Sequence, residues 1–249
     1  MKSELKITIA TLLLSGFTTP ALSQMSATKK AGTSVKTTAS LSMVSSYIDR
    51  GNTSSDGPCL QPGISLGFDQ GVSFTTNGNF ALTENNDDHG ENRFTQVNLI
   101  IGYALPVPSD VVNVSVGVGE YLYPNSDFDS LREATVTAGI KAPLNPTLFT
   151  GYMVDGPLDG NIYSELGLSQ NILTRNDLSV GLSAGAAYNQ APDNGDAGIT
   201  HGKFGGNIGY KTITASAIYY IETDEDLIKY SDNKDNRDFL VSVGTSRTF

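Results

Sequence analysis

The chain of 249 residues carries 26 acidic against 16 basic residues, a net charge of −10, and a single cysteine. One cysteine excludes an intrachain disulfide framework, and an acidic excess of this size repels a phosphate backbone, which excludes a nucleic-acid partner. The only sustained apolar run is short and N-terminal, which excludes a bundle of membrane-spanning helices.

Residues 1–23 read as an export signal. Lys2 and Lys6 precede an apolar stretch from Ile7 to Phe17, Pro20 breaks it, and Ala21-Leu22-Ser23 offers the small residues that signal peptidase requires. The stretch is too brief to anchor the chain across roughly 30 Å of hydrocarbon. The mature chain is expected to begin near Gln24, with residues 24–36, polar and carrying three lysines, as a flexible periplasmic leader and residues 37–249 as the folded domain. No cysteine follows the cleavage point, so a lipid anchor is not indicated, and Cys59 stands alone in an oxidising compartment.

Beyond Ala39, apolar residues recur with period two, the spacing of strands with one apolar face. Between Val111 and Tyr123, Val112, Val114, Val116, Val118 and Leu122 share one face, and Asn113, Ser115, Gly117, Gly119 and Tyr121 share the other. The same pattern predicts strands near 38–49, 59–69, 72–83, 94–104, 111–123, 132–142, 147–155, 161–172, 178–189, 199–210, 212–222 and 236–249. Their connectors alternate in length. Tight ones fall at Gln70-Gly71, Pro143 to Pro146, Thr174 to Asp177 and Lys211, with Pro106 to Asp110 slightly longer. Long polar ones fall at 50–58, 84–93, 124–131, 156–160, 190–198 and 223–235.

An even number of strands about ten residues long, with short turns at one end and long loops at the other, predicts an all-β fold: a transmembrane antiparallel up-and-down β-barrel of about 12 strands in the outer membrane of a Gram-negative bacterium. A soluble barrel would bury its apolar face inside. Here the opposite face is mostly Gly, Ser, Thr and Asn, too small and polar for a hydrophobic core, so the apolar face is expected to meet lipid. Aromatic residues gather at strand ends, with Tyr47, Tyr121, Tyr123, Tyr188 and Tyr219 toward the loops and Phe68, Tyr103, Tyr210 and Phe249 toward the turns, as interfacial girdles require.

Tyr47-Ile48-Asp49-Arg50-Gly51, followed by Ser54-Ser55-Asp56-Gly57-Pro58 and Leu60-Gln61-Pro62-Gly63, resembles the opening of the TorF-type family of small proteobacterial outer-membrane porins. The likeness covers the first strand pair and, in general form, the terminal Phe249. It implies a porin-like barrel without naming a solute. The terminal strand closing on Phe249 also resembles the signal read by the barrel assembly machinery.

The lumen carries the functional expectation. Inward positions such as Ser65, Gly67, Ser115, Thr137, Gly181, Ser183, Gly205 and Gly209 are small, and a barrel of this size is expected to keep a narrow aqueous bore. Candidate pore-lining residues are Tyr121 and the carboxylates Glu133, Asp155, Glu165, Glu222 and Asp238 near the outer mouth, with His201 and Lys203 opposite and Lys141 lower down. A ring of carboxylates favours cations over anions. The expected function is a passive channel for small hydrophilic solutes, cation- or zwitterion-preferring. The alternative is a structural or adhesive barrel plugged by its own loops, with 223–235 folding inward. The expected partners are outer-membrane lipids and lipopolysaccharide, the assembly machinery and small solutes.

A hydrolase is a distant third reading, and no catalytic residue is assigned. His201 lacks the serine two residues on that an outer-membrane lipase uses, and His89 in Asn85-Asn86-Asp87-Asp88-His89 fits a solvated loop tip. No cofactor or metal site is expected. Gly202-Lys203-Phe204-Gly205-Gly206 has the wrong spacing for a phosphate loop. The acidic runs at Asp127-Phe128-Asp129 and Asp224-Glu225-Asp226 lack the ligand ladder of a calcium site.

Overall fold

A computed structural model describes residues 35–83, 92–108, 110–191, 197–222 and 239–249. The expected export signal, almost all of the leader, the His89 loop, the loop 223–235 with its acidic run, and Asp238 lie outside the described residues.

The first wall strand, β1 (Val35–Val44), begins two residues inside the expected leader. Two short strands follow, β2 (Tyr47–Asp49) and β3 (Asn52–Ser55). The rest of the wall comprises β4 (Cys59–Phe68), β5 (Val72–Ala81), β6 (Arg93–Ala104), β7 (Val112–Leu122), β8 (Leu131–Ile140), β9 (Thr147–Asp155), β10 (Ile162–Arg175), β11 (Leu178–Gln190), β12 (Ala197–Tyr210), β13 (Ile213–Glu222) and β14 (Phe239–Thr248). Every wall strand pairs antiparallel with its sequence neighbours in the wall, and β1 closes the ring on β14 through Thr38↔Thr248 while pairing β4 through Thr38↔Ser65. The result is a closed barrel of 12 strands, with β2 and β3 forming a separate two-stranded sheet.

The two faces of the wall follow the alternation. On β7, Val116 and Val118 are 37% and 56% exposed, whereas Ser115 and Tyr121 are buried on the other side. Leu41, Ile64, Phe74, Ile101, Leu148, Leu182, Phe204 and Val243 extend the apolar band around the outside. That inversion of inside and outside is the arrangement of an outer-membrane barrel, whose solvent is lipid. Tyr188, Tyr219, Tyr103, Tyr210 and Phe249 are exposed at the strand ends as expected. Tyr47 and Tyr121 depart from the girdle, being buried in the interior.

The turns have local causes. Between β4 and β5, Gly71 takes φ +87° and its N–H donates to the Phe68 carbonyl at 2.9 Å, the left-handed closing residue of a three-residue hairpin loop. Asn176 and Lys211 supply single left-handed residues in the tight β10–β11 and β12–β13 turns.

Candidate functional site

The expected strand 38–49 and the expected outer loop 50–58 are both corrected. β1 ends at Val44, and the chain bends at Ser45 and Ser46. The Ser45 N–H donates to the Val241 carbonyl at 2.8 Å, and its Oγ accepts from the Val241 N–H at 3.0 Å, pinning this bend to β14. β2 and β3 then form a hairpin that turns into the barrel. Tyr47 and Ile48 are buried, clustered with Val44, Cys59, Ala81, Ile218, Tyr220 and Leu240. This apolar nest draws the hairpin inward, since leaving Ile48 in water would forfeit roughly 1.5–3 kcal/mol.

The hairpin closes on Arg50-Gly51, with φ of 53° and 87°. Two successive positive φ values make the mirror-image turn whose twist suits a two-residue hairpin loop. Gly51 is required twice over, by its φ and because a Cβ there would run into the His201 ring. Arginine is an uncommon choice for such a conformation, which costs a non-glycine residue roughly 1–3 kcal/mol.

The side chain of Arg50 accounts for the choice. The hairpin leaves the wall between β1 and β4, and Arg50 meets β7, β8 and β10, on the far side of the twelve-strand ring. Its Nη2 donates to Glu133 Oε1 at 2.7 Å. Its guanidinium lies 4.9 Å from the centre of the Tyr163 ring and 5.8 Å from that of Tyr121. Tyr121 Oη donates to Glu133 Oε2 at 2.6 Å, so both carboxylate oxygens are engaged. Glu133 is wholly buried, and a buried carboxylate needs such partners. Gly151, facing it on β9, makes the room, since a side chain there would occupy the place of the carboxylate.

A second buried pair stands beside the first. Lys203 Nζ donates to Glu165 Oε2 at 2.7 Å, and Tyr163 Oη donates to the same oxygen at 2.9 Å. Asp49, in the hairpin rather than in a wall strand, is less well provided. Its Oδ1 is buried without a hydrogen-bond partner, and the Arg50 Nε stands 4.0 Å away. Burial pushes the Asp49 carboxyl up to about 7, Arg50 lowering it and Glu133 raising it further.

The lumen wall of β4, β5 and β6, on the other side of the hairpin, is neutral. Tyr47 Oη donates to Gln96 Oε1 at 3.1 Å, Gln96 Nε2 to Asn98 Oδ1 at 2.9 Å, and Asn98 Nδ2 to Asn77 Oδ1 at 2.7 Å. Gln61, Asn79 and Thr95 form a parallel chain at 3.2 and 2.8 Å.

The expected lumen residues therefore separate. Tyr121 and Glu133 come together, as do Glu165 and Lys203. His201 is buried inside, its ring 5.7 Å from that of Tyr220. Asp155 is corrected. A register shift between Arg132 and Glu133 sets Asp155 opposite Arg132, on the outer face. There Arg132 donates to Asp155 at 2.9 Å and to Glu120 at 3.3 Å in an exposed triad. Lys141 lies exposed in the β8–β9 turn, where its N–H donates to the Val111 carbonyl. Glu222 ends β13 opposite His201 in the backbone register, and its side chain is outside what is described. Sequence reasoning missed Asp49, Arg50 and Tyr163. The signal within reach was an apolar Tyr47-Ile48 pair leading straight into Arg-Gly.

No curated protein matches the chain by sequence. Among solved structures it is similar to the NanC porin (TM-score 0.49, 13% identity, covering 86% of this chain and 98% of that one). It is also similar to the COG4313 outer membrane channel from Pseudomonas putida F1 (0.42, 12%, 89% and 97%) and to LpxR from Salmonella typhimurium (0.39, 9%, 85% and 99%). Likenesses of that size carry no functional inference. The Gcw_chp family model, described as a bacterial protein of unknown function, matches residues 28–246, and the chain belongs to that family.

Proposed function

We propose that the protein is a porin-like passive channel of the outer membrane for small hydrophilic solutes, with the β2–β3 hairpin as its constriction. The observation that carries this reading is the hairpin itself, a polar-tipped element held across a lumen whose wall is hydrophilic, neutral along β4, β5 and β6 and charged at Glu133, Glu165 and Lys203. The resemblance of residues 47–63 to TorF-type porins supports the same reading. Among the described residues, Asp49, Glu133 and Glu165 face Arg50 and Lys203 around the constriction, an excess of one carboxylate apart from His201. Because Glu133 and Glu165 are paired, the preference for cations or zwitterions over anions is a weak one. Export of residues 1–23, lipopolysaccharide around the apolar band and recognition of Phe249 by the assembly machinery complete the proposal. No hydrolytic role is assigned.

Conductance of the refolded mature protein in a planar bilayer under asymmetric KCl tests it. Discrete steps with a small cation-selective reversal potential are expected, and an anion-selective potential would remove the selectivity. The seating of Tyr47 and Ile48 favours a second reading, a barrel closed by its own hairpin with a structural or adhesive role. Absence of steps from a folded, heat-modifiable barrel would bring that reading to the front.

A further inference from the structure

The contacts of Arg50 describe a site as well as a latch. Glu133, Tyr121 and Tyr163 all stand on wall strands, and each is held by wall residues independently of the hairpin: Glu133 by the Tyr121 hydroxyl and the space above Gly151, and Tyr163 by Glu165, itself paired with Lys203. A buried carboxylate beside two aromatic rings within 6 Å of a cation is the chemistry that captures organic cations. A planar, weakly hydrated guanidinium suits it better than a compact ammonium, since it can stack while donating to the carboxylate. The occupant arrives on a tether, at the tip of a two-stranded element that β1 and β4 hold at its base, and in a backbone conformation that arginine adopts at a cost.

We propose that Glu133, Tyr121 and Tyr163 form a binding site for guanidinium-bearing solutes, occupied in the resting protein by Arg50 as a tethered competitor. A solute of this class displaces Arg50 and releases the hairpin from the far wall. The release of flow through the lumen rests on the channel reading given above. The binding does not, because it needs only the cage.

Chemical rescue separates the two. In the full mature chain folded in detergent, Arg50→Ala leaves Glu133 buried without its cation, so the thermal midpoint falls. Millimolar ethylguanidinium chloride is expected to restore it with the logarithm of concentration, as a ligand of the folded state does. Sodium chloride of equal ionic strength is expected to do much less, and Arg50→Ala combined with Glu133→Gln is expected not to respond. Equal rescue by sodium, rescue surviving in the double variant, or no rescue at all would each overturn the site. Should Arg50→Ala not fold, Arg50→Lys, which keeps the charge and loses the planar fork, serves in its place. It is expected to bind ethylguanidinium severalfold more tightly than the unaltered protein by calorimetry, and equal affinity would count against the site. In bilayers, ethylguanidinium is expected to raise the conductance of the unaltered protein. Rescue in detergent with no conductance in any variant would leave the site standing and remove the channel reading.

Discussion

Near the short turns the lumen wall is made of hydroxyls and glycines bonded to their own neighbours across the strands: Ser65 to Thr75 at 2.6 Å, Ser216 to Ser242 at 2.5 Å, Thr38 to Thr248 at 3.0 Å. Near the long loops the same wall carries Glu133, Glu165, Lys203 and His201, all buried, with an apolar cluster beside them. Small neutral groups find their partners along the wall. A buried carboxylate such as Glu133 needs a cation; among the described residues, Glu165 takes one from the wall, Lys203, and Glu133 takes its own from across the lumen, Arg50. The difference between the two ends is therefore one of reach: satisfaction of the wall is local at one end and crosses the lumen at the other.

Breaking the crossing should cost most. Glu133→Gln removes the carboxylate that Arg50 meets at 2.7 Å and leaves its partly buried charge beside the poorly placed Asp49 at 4.0 Å, and a loss of about 3 kcal/mol is expected in denaturant unfolding of the detergent-folded barrel. Ser65→Ala, which removes a hydroxyl bond at the other end, should cost only about 1 kcal/mol in the same measurement.

Gly51→Ala and Gly71→Ala impose the same left-handed strain, since both glycines stand at φ +87°. A loss of roughly 1–3 kcal/mol is expected from either. Only Gly51→Ala also meets His201, so only this variant should unseat the hairpin, read as faster proteolysis within 45–58 and larger single-channel steps.

The pH dependence isolates Asp49. Its carboxyl is raised from 3.8 to about 7 in the seated hairpin, so the seated state holds the proton more tightly than an open chain does. The penalty for ionising it is absent in acid, grows as pH rises through this window and is complete above its upper end. The hairpin should be held more firmly at about pH 5 than at about pH 8, giving smaller conductance at the lower value, and Asp49→Asn should flatten this contribution. The smallest effect belongs to the exterior. Arg132→Ala removes exposed pairs to Glu120 and Asp155, and less than about 1 kcal/mol is expected by the same unfolding measurement.

The sequence by itself determined the wall. Strand positions, turn and loop ends, and the lipid-facing side follow from a period-two alternation, because a side chain's face is decided by its immediate neighbours along the strand. The inward orientation of Glu133, Glu165, His201 and Lys203, all buried, was legible for the same reason. Asp155 was not, since one register shift beside Arg132 reverses the face and leaves no mark in the alternation. The inward hairpin was not legible either. Residues 50–58 have the composition of a solvated loop, and what turns them inward is the burial of Tyr47 and Ile48 against Ile218 and Leu240 and the pairing of Arg50 with Glu133, 83 residues away. Partners so distant become neighbours only when the barrel closes, and closure is a property of all twelve strands together.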